Sequence, residues 1–338
     1  MTKRYSIVTA VLTCMAACTC CMFSGAVYAQ KEVRHDSSYF VTFPGTVTGR
    51  FYFSKKYTSF HVPASDGTSA STYRPNTKLT MGVGATYRNL SLNLAYGFDF
   101  LNHDEEKGNT RSIDLQLHLY PAKWSIDLLA ESHHGLGLYS SSTSQPGVEG
   151  YYYRPDIRQR FIGAAVFRVL NHERFSYNAA MIQNEWQKKS AGTFLFGGHA
   201  YSERITADSA LITKEAGSDG TPGYSIDKVN FFSFGPGVGY AYTLVIKKHF
   251  FVTGSLIGSA NFLFSSQSGS SPGKDRFSLN PSIIYKGAIG YNSNTWCVTA
   301  NIAANTLWVN PDSSPFRYSL STGNYRIILA KKIRLKKH

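Results

Sequence analysis

Alternation of apolar and polar residues runs through most of the chain after residue 45, and it restricts the possible folds more than any other feature. In residues 90–100, three leucines, a tyrosine and two phenylalanines alternate with Ser, Asn, Ala, Gly and Asp. A period of two places successive side chains on opposite faces of a β-strand. The pattern therefore predicts an all-β protein whose strands each have one apolar and one polar face.

The length of the predicted strands indicates a membrane rather than water as their surroundings. Many alternating runs reach about ten to sixteen residues, whereas strands of soluble sheets have about five or six and a tilted bilayer crossing needs about nine to eleven. Aromatic residues make up 14% of the chain and gather near strand ends, where the girdles of transmembrane barrels lie. After the N-terminus we find no apolar run of about 20 residues, which argues against a helical membrane protein. We expect a transmembrane, antiparallel, up-and-down β-barrel.

The lengths of the connections predict the number of strands. Short turns on the periplasmic side of a barrel alternate with long loops on the outer side. The short turns lie at Asn89, 121–123, 171–174, 247–248 and 292–294, and the long links at 63–77, 101–110, 133–158, 203–228, 266–275 and 310–322. This pattern predicts twelve strands if 175–202 is one long strand, and thirteen if it is two. An even number places both termini on the periplasmic side, so we expect twelve.

The first 29 residues have the features of a secretory signal peptide. Lys3 and Arg4 precede an apolar stretch, and Val-Tyr-Ala at 27–29 forms a small-residue cleavage site. A degenerate lipobox that ends at Cys18 leaves lipoprotein processing as an alternative. After cleavage at residue 29, we expect a short periplasmic segment over 30–45 and the barrel over 46–338. The mature chain then keeps only Cys297, so we expect neither a disulfide framework nor a cysteine-based metal site.

The chain is basic, with a net charge of +14 and 17% charged residues. A basic balance often indicates nucleic acid, but an exported chain without a nucleic-acid-binding motif rarely meets it. Outer-membrane lipids, the phosphates of lipopolysaccharide and small anionic solutes are the expected partners. We expect no cofactor.

A distinctive block lies in the middle of the chain. Residues 151–157 read Tyr-Tyr-Tyr-Arg-Pro-Asp-Ile, and they are followed by Asn171, by Phe-Ser-Tyr at 175–177, by Gln183 and Glu185, and by Gln-Lys-Lys-Ser-Ala-Gly at 187–192. This block resembles an uncharacterised family of Bacteroidota outer-membrane barrels. The resemblance covers most of the mature chain, and it implies an outer-membrane barrel assembled by the insertion machinery, with no assigned activity. The chain departs from such barrels in ending on 333–338, Ile-Arg-Leu-Lys-Lys-His, rather than on an aromatic residue.

Charged residues at membrane depth must face the lumen and find partners, so we take them as candidates for lumen or binding residues. They are Arg154, Asp156, Glu185, Lys188 and Lys189 of the central block, the acidic residues Asp114, Asp127 and Glu131, and the basic residues Arg158, Arg160 and Arg168 of the strand that follows. Arg154 and Asp156 pair either with each other or with the charges at 185–189. Such a set forms either an ion-pair network that rigidifies the wall or a site that binds solute and constricts a pore.

The sequence favours a non-enzymatic barrel, most of all a narrow pore for small solutes with a modest anion preference. A plugged structural or surface-binding barrel is the first alternative. A lipid-modifying enzyme is the second, because Ser132 and His134 share one face of a strand. Their surroundings resemble no known motif of such enzymes, and they lack a third ligand for a metal, so we predict a histidine pair at a loop edge with no catalytic role.

Overall fold

The structure is a computed structural model that describes residues 34–63, 70–87, 90–98, 100–101, 107–140, 151–214, 224–269, 275–309 and 318–335. The predicted signal peptide and the last three residues lie outside the described residues. No helix in these ranges is long and apolar enough to cross a membrane.

The described residues form sixteen strands. They are β1 (Phe40–Thr42), β2 (Thr46–Val62), β3 (Ser71–Arg74), β4 (Thr80–Tyr87), β5 (Leu90–Tyr96), β6 (Arg111–Leu119), β7 (Trp124–Ser140), β8 (Tyr151–Val169), β9 (Glu185–Gln187), β10 (Ala191–Thr206), β11 (Ile212–Lys214), β12 (Tyr224–Ile246), β13 (Phe250–Gly269), β14 (Asp275–Asn292), β15 (Trp296–Val309) and β16 (Tyr318–Arg334). A π-helical turn at Asn178–Ile182 lies between β8 and β9.

Hydrogen bonding between the first and last long strands closes the sheet into a barrel. β2 and β16 pair antiparallel from Thr46 opposite Arg334 to His61 opposite Ser319. Within the described residues the closed ring contains ten strands, in the order β2, β16, β15, β14, β13, β12, β10, β8, β7 and β3. All neighbouring pairs are antiparallel, which confirms the predicted class of fold. Because short turns face the periplasm, the ends of β7, β13 and β15 that carry such turns mark the periplasmic end.

The predicted count of twelve is not confirmed, and the difference lies between β2 and β7. All twelve expected segments contain a strand, but the expected loop at 63–77 also contains one, β3, which bridges β2 and β7 at the outer end. Nearer the periplasm β4 and β5 extend from β2, while β6 pairs with β7. In the described residues β5 and β6 do not pair with each other. We call this break in the wall the seam.

The prediction of one long strand over 175–202 is wrong. After a turn, residues 175–183 leave the wall and fold into the periplasmic end of the lumen, and the chain rejoins the wall only at β10. Phe175, Tyr177 and Met181 are buried there. An apolar segment of this kind alternates poorly, and its aromatic residues pack against the inner wall instead of forming ladder hydrogen bonds. We call residues 175–183 the plug.

Polar contacts hold the plug to strands on several sides of the barrel. Tyr177 bonds the hydroxyl of Ser255 on β13 at 2.7 Å, and Asn301 on β15 donates to the carbonyl of Met181 at 3.2 Å. Arg50 on β2 donates to the carbonyl of Ile182 at 2.6 Å. Outside the plug, β1 pairs with β9 and adds a second layer at the same end. The plug therefore fills the periplasmic part of the lumen.

The two faces of the wall differ as a membrane requires. Large apolar side chains such as Phe194, Val238 and Leu256 are exposed on the outer face. The inner face is filled at the outer end by an apolar cluster that includes Phe60, Phe161 and Leu263. A closed barrel with an outward apolar belt satisfies its backbone internally, which is what a strand-built structure needs in lipid.

We expect the seam to be the most weakly protected part of the wall. Within the part of the chain that the structure describes, amides on the free edges of β5 and β6 have no ladder partner, so they should exchange with deuterium faster than the amides of β13 and β14, which are paired on both sides. Exchange followed by mass spectrometry of peptides from 90–96, 111–119 and 250–292 measures this difference. Equal protection in all three ranges would contradict an open seam.

Candidate functional site

Between the plug and the outer apolar cluster the lumen contains a small cavity of about 30 Å³. Its lining includes His118 and Asp127 from β6 and β7, Lys286 from β14, and Asn324 from β16, together with the apolar side chains of Leu129 and Ile284. We call it the chamber. Its lining combines charged, polar and apolar side chains, and its volume is that of a few water molecules.

Asp127 is the centre of the polar contacts in the chamber. Its carboxylate accepts hydrogen bonds from the ammonium of Lys286 at 2.8 and 3.1 Å, and its Oδ1 lies 2.7 Å from Nδ1 of His118. Lys286 also donates to Ser125 at 2.9 Å and lies 4.8 Å above the ring of Tyr120. The ring of Tyr177, from the plug, lies 5.4 Å from the same ammonium. A charge of each sign is thus buried with its remaining hydrogen-bonding capacity used, as a buried ion pair requires.

A second carboxylate, Glu131, joins strands that are far apart in sequence. Its two oxygens accept hydrogen bonds from Thr58 on β2 at 2.7 Å and from Thr322 on β16 at 2.8 Å. Gln116 on β6 donates to it at 3.3 Å and accepts in turn from Asn324 at 2.6 Å. These contacts connect the β6–β7 wall to the strands that close the barrel.

Asp114 pairs with Lys56 near the seam. The ammonium of Lys56 lies 2.8 Å from Oδ1 of Asp114 and 2.9 Å from its backbone carbonyl. The side chain of Lys56 is 27% exposed, although it faces inward, whereas that of Lys286 is 3% exposed. The Lys56–Asp114 pair is therefore more accessible than the Lys286–Asp127 pair in the chamber.

The central block does not converge inside the barrel. Arg154 pairs with Asp156 at 2.7 Å near the outer end, and both bond the segment after β10 through Ser209. Glu185 lies at the periplasmic end, where it accepts a hydrogen bond from Ser176 at 2.5 Å. The alternative in which Arg154 and Asp156 pair with each other agrees with the structure, and the alternative that joins them to 185–189 does not.

Lys188 and Lys189 belong to the layer at the periplasmic end. The backbone amides of both donate to the carbonyl of Tyr39, and the ammonium of Lys189 lies 5.3 Å from the Tyr39 ring. They attach the segment before β1 to the chain that follows the plug. The expected pairing with Arg154 and Asp156 fails because 185–189 lies at the periplasmic end, where Glu185 contacts Asn292, whereas Arg154 and Asp156 lie near the outer end.

The predicted basic wall of the lumen is wrong, because Arg158, Arg160 and Arg168 point outward. The inward positions of β8 between 157 and 169 carry Phe161 and Phe167, each 1% exposed. Phe161 packs in the outer apolar cluster and Phe167 packs with residues of the plug, so the aromatic face turns inward and the arginines turn outward. Arg168 lies 5.0 Å from the ring of Trp124 on the outer face. Asp114, Asp127 and Glu131 do face inward, but opposite lysines and polar side chains rather than these arginines.

The serine and histidine that form a close pair are not the two considered from the sequence. Ser132 and His134 both lie on the outer face of β7, and no hydrogen bond joins them within the described residues. On the inner face Ser112 of β6 lies 2.8 Å from Nδ1 of His133. Nε2 of His133 lies 3.6 Å from Glu131. Ser112 is exposed and lies on the strand that borders the seam.

Sequence reasoning missed Lys56, His118 and Lys286 as members of the site. A signal was present, since each occupies a polar position in an alternating run, and charged residues are scarce in this chain. Their partners depend on the register between β14, β16, β2 and β7, which the alternation does not specify. Among the described residues no group of three or more His, Cys, Asp or Glu side chains could hold a metal ion.

A closed antiparallel barrel with an outward apolar belt and a filled lumen defines this protein as an outer-membrane β-barrel. The sequence profile of the family described as a domain of unknown function, DUF4421, matches residues 34–330. The chain belongs to this family, as the resemblance of the central block implied. A search of curated protein sequences finds no match.

Solved structures similar to this chain are named as outer-membrane proteins or translocators. The outer membrane protease OmpT of Escherichia coli is 10% identical, with a TM-score of 0.41, and the match covers 87% of this chain and 98% of that one. The translocator domain of the autotransporter NalP of Neisseria meningitidis is 9% identical, with a TM-score of 0.34 and coverage of 99% and 100%. The toluene transporter TodX of Pseudomonas putida is 8% identical, with a TM-score of 0.24 and coverage of 86% and 90%. Likeness at this level carries no argument about activity.

Removing one member of the Asp127–Lys286 pair should destabilise the barrel strongly. Asp127→Asn leaves a buried ammonium without its counter-charge, so we expect a loss of about 3–5 kcal/mol in the free energy of unfolding. The double variant Asp127→Asn, Lys286→Met should recover part of it. Unfolding in urea from lipid vesicles measures both.

As a matched control, Asp114→Asn next to the more exposed Lys56 should lose less than about 1 kcal/mol. Equal losses from the two single variants would contradict a special role for the Asp127 pair.

Proposed function

We propose that this barrel admits a small amphipathic molecule from the side, through the seam, into the chamber. One observation carries the proposal. Within the described residues, the facing edges of β5 and β6 form no ladder with each other, and they lie beside the chamber. Free strand edges are rare in membrane barrels because lipid satisfies no backbone group. A break in the wall at this position is better explained as a route than as a defect.

The residues around the seam support this proposal. On β5 both faces are exposed: Leu94 and Tyr96 on the outside, and Asn93 and Ala95 on the inside. On β6 the inward positions Asp114, Gln116 and His118 carry polar groups, while Leu115 and Leu117 face outward. A molecule that moves from the bilayer into the chamber therefore passes from apolar to polar side chains over the width of one strand.

The filling of the lumen argues for lateral access over an axial pore. The apolar cluster around Phe60 and Phe161 occupies the outer end, and the plug occupies the periplasmic end. The charges in and beside the chamber do not support the anion preference expected from the net charge. Asp114 and Asp127 neutralise Lys56 and Lys286, so these paired charges favour neither sign of solute.

A reporter cysteine in the chamber tests the route. Ala304→Cys places a thiol in the lining, where the native residue is small and buried. In protein folded into liposomes we expect N-ethylmaleimide to modify this thiol within minutes. Adding Ala95→Trp, which places a large ring on the inner face of β5, should slow the modification about tenfold because it fills the seam. Mass spectrometry of the intact protein measures the rate.

Leu94→Trp is the matched control, since it adds the same ring to the outer face of the same strand and should leave the rate unchanged. If Ala95→Trp has no effect but replacement of the plug by a Gly-Ser linker speeds modification, the molecule moves along the axis and the proposal is wrong. If neither change matters and the thiol stays unmodified, a plugged barrel whose outer loops bind surfaces or partners becomes the better interpretation.

A second candidate function, hydrolysis of an acyl ester, is favoured by the Ser112–His133–Glu131 arrangement. Nε2 of His133 lies 3.6 Å from Glu131, beyond hydrogen-bond range, and in the tautomer that carries its proton on Nε2 the Nδ1 atom can accept the proton of Ser112 as its hydroxyl attacks a carbonyl. Backbone amides on the free edge of β6 are donors for the developing oxyanion. The seam beside Ser112 is open to lipid, so an ester of a lipid-like acid is the substrate class that fits.

Ser112→Ala tests this second function. The folded barrel should hydrolyse p-nitrophenyl butyrate, and Ser112→Ala should lower kcat/KM at least about a hundredfold, while Ser132→Ala, on the outer face, should leave it unchanged. Labelling of Ser112 by a fluorophosphonate, detected in the digested protein, provides an independent readout. Absence of both hydrolysis and labelling in wild-type protein would rule the hydrolase out.

A further inference from the structure

Basic residues cluster on the outer face of the wall near its outer end. Two neighbouring rows of directly paired residues cross β6, β7, β8, β10 and β12. The upper row reads Arg111, His134, Arg158, Thr206 and Lys228, and the lower row reads Ile113, Ser132, Arg160, Arg204 and Asn230. Neither row contains a carboxylate. We call this surface the basic patch.

We propose that the basic patch binds the phosphate groups of a lipid A molecule in the outer leaflet. The patch has the position that such a ligand requires. The next two rows towards the periplasm carry Leu115, Ile162, Phe232 and Leu128 on the same outer face. Rows two residues apart are separated by about 7 Å, so the cations lie at the upper border of the apolar belt, at the depth of the lipid headgroups.

The arrangement of the arginines calls for a counter-anion. Arg160 on β8 lies directly opposite Arg204 on β10. Like charges directly opposite each other destabilise an antiparallel pair, and among the described residues neither arginine forms an ion pair with a carboxylate. Arg204 donates instead to Oδ1 of Asn230 at 2.9 Å, which fixes its guanidinium on the outer surface. A phosphate held between two guanidiniums accepts paired hydrogen bonds from each and removes the repulsion.

The patch is confined to one side of the barrel. On β15, β16 and β2 the outward positions near the outer end carry Trp308, Ser319 and His61 in one row, and Thr306, Ser321 and Ser59 in the next. A general attraction to anionic membranes would not need this concentration of cations. A cluster limited to five neighbouring strands fits one headgroup with two phosphates better than a ring of unspecific lipid contacts.

Binding of lipid A by the folded barrel in detergent tests the proposal. We expect wild-type protein to prefer bis-phosphorylated lipid A over its phosphate-free form. The variant Arg158→Gln, Arg160→Gln, Arg204→Gln should bind bis-phosphorylated lipid A about a hundredfold more weakly, since each basic residue near an anionic surface contributes about fivefold. Native mass spectrometry at increasing lipid A concentration measures the bound fraction.

The matched control removes three cations from the outer face elsewhere. Lys55→Gln, Arg168→Gln, Lys331→Gln should keep the affinity of wild-type protein, because these side chains lie away from the patch. Heat-dependent electrophoretic migration reports whether each variant folds. If the patch variant fails to fold, wild-type protein with the two lipid A forms and the single variant Arg204→Gln decide the question.

Two outcomes would overturn the proposal. One is equal binding of the phosphorylated and phosphate-free forms by wild-type protein, or equal loss in the patch variant and its control. The other is binding of phosphatidylglycerol as tight as that of lipid A, which would show an unspecific anionic-lipid surface instead of a lipid A site.

Discussion

The need of every backbone amide and carbonyl for a partner inside lipid controls the whole structure. A sheet meets this need only by closing on itself, and here β2 closes on β16 over nearly its full length. On the other side of β2 the closure is shorter, since β3 spans the distance to β7 over only four residues. Below β3 the wall divides, with β4 and β5 on one side and β6 on the other. The seam, the chamber behind it and the exposure of Lys56 all follow from this change in strand number.

The charged residues around the chamber obey the complementary rule that a buried charge needs partners. The outer cluster and the plug remove most of the lumen from water, which leaves charges in a limited volume between them. Asp127, Lys286 and Glu131 remain there because each has a charged or hydrogen-bonding partner from a distant strand. Such a network also fixes the relative positions of β2, β7, β14 and β16. Its members near the seam, Lys56 and Asp114, are the more exposed ones, so we expect a polar group of a ligand to bind on that side.

The fold could be predicted further than the site. Alternation specified the strands and their length, because burial of one face and exposure of the other leave a period of two in the sequence. It did not specify the plug, where Phe175 and Tyr177 belong to no regular ladder, nor β3, which is only four residues long. The partners Lys286 of Asp127 and Thr58 of Glu131 come from strands more than 70 residues away. Such contacts depend on register across the closed ring, which no local pattern contains.

On β8 three arginines predicted to face the lumen face outward instead. Its outward and inward positions both carry apolar residues, so hydrophobicity alone does not distinguish them. The expectation that charge points inward fails on β8 because Phe161 and Phe167 are buried in the apolar clusters at the outer end and around the plug, and the arginines at the alternate positions then face outward. Arginine can tolerate the outer face only near the headgroups. Arg158 and Arg160 lie in the middle of β8, above the apolar rows of the wall, and Arg168 lies near its periplasmic end, and this distribution places them at the two borders of the membrane.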